Sequence, residues 1–274
     1  MPFKTRLVPS LILLLTIGLW SEAGADPLAL MATQTGQFGT LDLNNGTFAQ
    51  LGNNGQSAAG LAVGSDGTLY SATADTGNLY QVDPANGTLS LVGTGSINYL
   101  SLMSTTSGLF AIGGQNALGA ALSLYSINPT TGAATLIGPT GLSLSTTVSD
   151  TIGGGVSVGS NTLYFSLGPS FTSDALYTLS TSTGAATLIG DTGVDGLAAE
   201  LYENGTLYGG SNFSGMTQVD ALYTLNPTTG ASTFVADVTS GTGKFSGLAP
   251  VPEPGTLVLY GCGLLVFAGL RHRT

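Results

Sequence analysis

Leu79-Tyr80-Gln81-Val82-Asp83-Pro84-Ala85-Asn86-Gly87-Thr88-Leu89-Ser90-Leu91-Val92-Gly93 is the stretch on which the fold turns. Its first residues alternate and are rich in β-formers, Asp-Pro-x-Asn-Gly makes a turn, and Thr-Leu-x-Leu-Val returns as a second strand. Gly87 supplies the positive φ that such a turn requires. The pattern recurs at Leu124–Gly138, Leu176–Gly190 and Leu222–Ala236, with a weaker copy at Phe38–Gly46. Copies therefore begin at residues 38, 79, 124, 176 and 222, a period of 41 to 52 residues. Repeats of roughly 40–50 residues are the length of one propeller blade, and exceed leucine-rich or ankyrin periods.

Between the copies lies a second hairpin. Gly60-Leu61-Ala62-Val63 leads through a Ser65-Asp66-Gly67 turn to Thr68-Leu69-Tyr70-Ser71, with relatives at 100–112, 154–165 and 196–209. Four strands per repeat predict an all-β chain, a five-bladed β-propeller over residues 26–250. Asp26–Thr33 aligns with Asp66–Thr73, so the body starts on the second strand of a repeat. It ends on Phe245-Ser246-Gly247-Leu248-Ala249-Pro250, which matches the first strand. Pairing of 245–250 with 28–33 is thus expected to close the ring and remove two exposed edges. The Gly-Leu-Ala order resembles the repeat style of NHL-type propellers, which implies that Gly-Leu-Ala is innermost and Thr-Leu-Ile/Val-Gly outermost. A β-sandwich and a parallel β-helix are the competing architectures.

The two ends are of another kind. Residues 1–25 have the form of a signal peptide: Lys4 and Arg6, an apolar run from Leu7 to Leu19, and Ala23-Gly24-Ala25 as the small-residue site for signal peptidase. Pro250-Val251-Pro252-Glu253-Pro254-Gly255 interrupts regular structure before Thr256 to Leu270, an uncharged run, which is followed by Arg271-His272-Arg273. A spanning helix needs about 20 apolar residues, so residues 251–274 predict a short, weak transmembrane helix. The basic residues at both ends stay on the cytoplasmic side, which places the body across the membrane.

Val-Pro-Glu-Pro, a short apolar helix and an Arg-rich end together resemble the PEP-CTERM sorting signal of Gram-negative bacteria. The resemblance implies export, transient anchoring in the inner membrane, and processing by an exosortase-type enzyme at Pro252, Glu253 and Pro254. It also implies a place at the cell surface or in extracellular matrix, with an exopolysaccharide as partner.

Charge and residue types narrow the chemistry. The 274-residue chain has 5 Lys plus Arg against 15 acids, a net charge of −10, which disfavours nucleic acid. Within 26–250 Lys244 is the sole base, and there is no His, Cys or Trp. Ser-His-acid and Cys catalysis lack their residues, as do His-based zinc sites. Carboxylate-only chemistry stays open, and glycoside hydrolysis can run on a pair of carboxyls. Asp150, Asp195, Glu200 and Glu203 are the best placed, although solvated loop acids read the same way. Asp174 and Asp220, each before Ala-Leu-Tyr, could offer oxygens to calcium, but no EF-hand spacing accompanies them. Asn45, Asn86 and Asn204, each before Gly-Thr, read as turns, and Gly153-Gly154-Gly155 as a bend. Tyr80, Tyr125, Tyr177 and Tyr223 recur with the repeat and read as packing between blades. The resulting expectation is a non-catalytic exported envelope or matrix propeller without cofactor or metal. The alternatives are a secreted carboxylate-only carbohydrate-active enzyme and a lectin-like glycan binder.

Overall fold

The computed structural model describes residues 27–252, apart from 74–75, 96, 116, 213–218 and 239–242. Ala23, Ala25, Glu253, Pro254 and the apolar run from Thr256 to Leu270 lie outside the described residues. All regular elements among those described are strands.

The first meander holds β1 (Leu28–Thr33), β2 (Gln37–Asp42) and β3 (Phe48–Asn53). The second holds β4 (Leu61–Val63), β5 (Leu69–Ala72), β6 (Asn78–Val82) and β7 (Leu89–Thr94). The third holds β8 (Tyr99–Thr105), β9 (Gly108–Gly113), β10 (Ala121–Ile127) and β11 (Ala134–Ser143). The fourth begins with β12 (Asp150–Ile152) and the separate β13 (Gly155–Ser157). It continues through β14 (Leu163–Pro169), β15 (Ala175–Leu179) and β16 (Ala186–Asp191). The fifth holds β17 (Leu197–Glu203), β18 (Thr206–Ser211), β19 (Ala221–Leu225) and β20 (Ser232–Asp237). Last comes β21 (Phe245–Pro250), antiparallel to β1, with Leu30 opposite Ala249 and Met31 opposite Leu248.

The repeat turn forms as its residues dictate. Asp83 accepts hydrogen bonds from Ala85 N (2.9 Å) and Asn86 Nδ2 (3.0 Å), while Asn86 Oδ1 accepts from Thr88 N (2.8 Å). Such side-chain caps replace strand partners at a chain reversal. Asn204-Gly205, with φ of 50° and 82°, is a two-residue hairpin turn between β17 and β18. Every third-to-fourth strand pairing carries a register shift at the same place, from Phe38/Gly39 to Leu222/Tyr223. A bulge repeated in this way gives each meander the same added twist.

Outer-strand glycines let each meander nest against the next. A Cβ on Gly52, Gly93, Gly138 or Gly190 would lie 1.8, 2.0, 2.2 or 2.1 Å from the carbonyl oxygen of Asn86, Thr131, Thr183 or Thr229 respectively. Each of those carbonyls belongs to the turn of the following meander. Between the fifth and the first the glycine is replaced by Ala236, which lies beside Gly46. Apolar clusters fill the same seams; one joins Met31, Phe38 and Leu41 to Leu222, Phe245 and Leu248.

The fourth meander departs from the others. The sequence reading starts its inner hairpin at Gly154, whereas β12 pairs with β14 through Ile152 opposite Leu167. The chain then bends at Gly153-Gly154, and β13 lies parallel between β8 and β17. A nine-stranded sheet results, uniting the third and fifth meanders across β13. The tolerance for this bend is steric: a Cβ on Gly154 would meet Ser101 Oγ at 1.9 Å.

Candidate functional site

Two buried acids lie where the fourth and fifth meanders meet. β14 presents Ser166 and Gly168 on one face, two residues apart and therefore roughly 7 Å apart along the strand. Glu200 of β17 sits against Ser166, and Asp174 sits against Gly168, where a Cβ would be 2.1 Å from its Oδ1. Neither acid has any exposed surface. Leu197 lies between them: its N–H donates to Asp174 Oδ2 at 2.6 Å, and its carbonyl is 3.3 Å from Ser166 Oγ.

Ser166 Oγ also meets Glu200 Oε1. One hydroxyl hydrogen cannot serve both Leu197 O and a carboxylate, whereas a protonated Glu200 would donate to Ser166 and free that hydrogen for Leu197. Burial favours that form, since charge is costly away from water. It pushes Glu200 up to about 7, against the opposing Ser166 hydrogen bond. Burial likewise pushes Asp174 up to about 8, opposed by the Leu197 N–H and reinforced by the charges of Asp195 and Glu200. Asp174 Oδ1 and Glu200 Oε2 are both buried without a hydrogen-bond partner.

The remaining sequence candidates do not join this pair into one open site. Asp195 is half-buried and its Oδ2 accepts from Phe171 N at 2.9 Å; burial raises its pKa, and its Oδ1 has no partner. Glu203 borders the Asn204-Gly205 turn at the far end of β17. Asp220 precedes β19, pushed up to about 6 by burial with the Lys244 charge opposing. Asp174 and Asp220 are thus in separate settings, and no group of three or more His, Cys, Asp or Glu among the described residues is arranged to hold a metal. Asp150 stands at a mouth, its Oδ2 accepting from Ser145 N at 2.6 Å.

That mouth is a cavity of about 320 Å³ where the inner strands begin. Ala58, Ala59, Leu100, Ile152 and Ala198 give it apolar walls, and Gln34, Asp150, Ser170, Asn212 and Lys244 give it polar ones. Residues from all five meanders meet there. A second groove, of about 410 Å³, lies on the perimeter between the first and second meanders around Tyr80, Asn53, Asn54 and Asn86.

Sequence reasoning selected Glu200 and Asp150, and Asp174 as an oxygen donor to calcium; it read Gly153 only as part of a bend and missed Ser166, Asn212 and Gly168. One signal was available: only the fourth and fifth copies carry Asp before Ala-Leu-Tyr, and Glu200 interrupts an otherwise apolar Leu197-Ala198-Ala199-x-Leu201 run. Asn212 lies outside any repeat motif and offered none.

No protein-family model matches the chain, and no curated protein matches its sequence. Among solved structures, a chain of a nidogen/laminin complex is similar over 81% of this chain and 97% of its own, at 10% identity and a TM-score of 0.50. A PQQ-bound aldose sugar dehydrogenase from Streptomyces coelicolor is similar over 70% of this chain and 71% of its own, at 15% identity and a TM-score of 0.48. At such identities the likeness concerns the fold alone. With the meanders described above, it gives the described residues an all-β, β-propeller-like fold.

Proposed function

We propose that the chain is an exported, non-catalytic five-bladed β-propeller of the cell envelope or extracellular matrix. In this reading the five meanders are blades, closed into a ring by β21 on β1. The glycine contacts that link neighbouring meanders, with Ala236 at Gly46 between last and first, support it. Residues 1–25 direct export, and an exosortase-type enzyme acts at Pro252, Glu253 and Pro254 after transient anchoring in the inner membrane.

The observation that carries the non-catalytic reading is the sealing of Asp174 and Glu200, which expose no surface to a substrate. A carboxylate-only carbohydrate-active enzyme would need such a pair to reach both a sugar and a water. The body's lack of His and Cys removes the Ser-His and Cys-His couples.

The test is cell fractionation of the producing bacterium with Pro252, Glu253 and Pro254 all replaced by Ala. The variant is expected to accumulate in the inner membrane while the natural chain reaches the medium or cell surface. Release of the variant to the same extent as the natural chain would overturn the sorting reading.

A further inference from the structure

Four Asn-Gly steps occur in the chain: Asn45-Gly46, Asn54-Gly55, Asn86-Gly87 and Asn204-Gly205. Each carries a reaction of its own. The glycine nitrogen, unhindered by a side chain, can attack the asparagine carboxamide carbon and expel ammonia. The dipeptide is the same in all four, but the hydrogen bonds around it are not.

Three of the steps are held at both reacting groups. Asn45 Nδ2 donates to Asp42 Oδ2 at 2.7 Å, and its Oδ1 accepts from Thr47 N at 2.9 Å. Asn86 repeats this with Asp83 and Thr88, at 3.0 and 2.8 Å. Asn54 Nδ2 donates to Gly87 O at 3.1 Å, and its Oδ1 accepts from Gln56 N at 3.0 Å. The attacking nitrogens are engaged as well. Gly46 N donates to Asp42 O at 2.9 Å, Gly87 N to Asp83 O at 2.7 Å, and Gly55 N to Asn53 Oδ1 at 2.8 Å. Gly46 and Gly87 are also buried, the latter against Phe38.

Asn204-Gly205 differs at every point. Both residues are exposed, and none of the described residues hydrogen-bonds to the Asn204 carboxamide or the Gly205 N–H. Their φ values of 50° and 82° make a type I′ turn. Rotating the 204–205 peptide unit alone converts type I′ to type II′ and leaves Glu203 opposite Thr206. Gly205 tolerates either sign of φ. That rotation takes ψ of Asn204 to about −120°, which turns the Gly205 nitrogen toward the Asn204 carboxamide carbon. In the other three steps the same rotation breaks the glycine's hydrogen bond.

We propose that Asn204 is a site of spontaneous modification by water in the folded protein, and that the fold protects Asn45, Asn54 and Asn86. The bond from Gly205 N to Asn204 Cγ forms and the Cγ–Nδ2 bond breaks. The Gly205 amide proton leaves with Nδ2 as ammonia. Water then opens the five-membered imide at either carbonyl, giving aspartate or its β-linked isomer. The turn gains a negative charge next to Glu203, and the β-linked form adds a backbone carbon to a two-residue loop matched to β17 and β18. Modification depends on this turn alone and is independent of where the chain resides.

The experiment incubates the full-length chain in detergent at pH 8, folded and in guanidinium chloride, in oxygen-labelled water. Peptic digestion and mass spectrometry then follow label uptake at each of the four asparagines. In the folded chain, uptake at Asn204 should be about tenfold or more faster than at the others, which must first break two or three hydrogen bonds. In guanidinium chloride the four rates should converge. Asn204→Gln, whose longer side chain must close a six-membered ring, should remove the signal there and leave the other three unchanged. Asp83→Ala, which takes away the partner of Asn86 Nδ2, should speed uptake at Asn86 several-fold. Equal rates at the four sites in the folded chain, faster uptake at any of the other three, or a spread that persists in guanidinium chloride would overturn the proposal.

Discussion

The seam between the second and third meanders and the seam between the fourth and fifth are built on the same repeat but filled differently. In the former, Tyr99, Leu102, Leu79, Tyr70 and Ile127 form an apolar cluster. Its buried hydroxyl, Tyr99 Oη, donates to Gly132 O at 3.2 Å. In the latter, Leu176, Leu197 and Tyr223 lie near two acids that each leave an oxygen unpartnered. Because each repeat contacts mainly its neighbours, one seam can change its chemistry while the rest keep theirs. The acidic seam is the one next to the broken inner strand β12–β13, where Gly153 passes directly over Glu200. Local departures from the repeat have collected in one place.

The contrast has its largest consequence in pH. Asp174 and Glu200 titrate near pH 4 in an unfolded chain, and at about 8 and about 7 when folded. Between those values the folded protein holds protons that the unfolded chain has released. The seam's stability is therefore complete below about pH 4 and is lost as pH rises through the folded values. Urea unfolding at pH 5 and pH 9 should reveal a loss on the order of 5 kcal/mol, and Asp174→Asn with Glu200→Gln should flatten most of it. An unchanged slope in that double variant would show that the acids are not the cause.

A smaller effect distinguishes steric from electrostatic control of the seams. Gly138→Val forces a side chain onto Thr183 O and should cost about 3 kcal/mol in a urea melt at any pH. Ala236→Gly, where a Cβ is already accommodated, should cost only about 1 kcal/mol. Equal effects would mean that the nesting glycines do not set the spacing. In the apolar seam, Tyr99→Phe should cost about 1 kcal/mol through Gly132 O, independent of pH between 5 and 9.

Much of this architecture can be read from the chain because turns and alternation are local. Asp83, Asn86 and Gly87 specify their turn wherever they stand, and their copies place the hairpins at intervals. The Phe245–Pro250 strand beside Leu28–Thr33 also follows from counting strands at the two ends. The split of the fourth inner strand could not be read so. Gly153 and Gly154 signal a bend, but only the tertiary packing of β8 and β17 decides that β13 runs between them. The acids show the same division. Glu200 stands out in an apolar run, yet its exposure depends on Ser166, thirty-four residues earlier in the chain. Asn212 becomes notable only through the cavity around it.

The most direct measurement for the central claim is the intact mass of the natural chain recovered from the extracellular fraction. An exported and sorted propeller predicts a mature form that begins at Asp26 and ends near Pro252–Pro254, without the basic terminus. Recovery of extracellular protein that still carries Arg271-His272-Arg273 would contradict it.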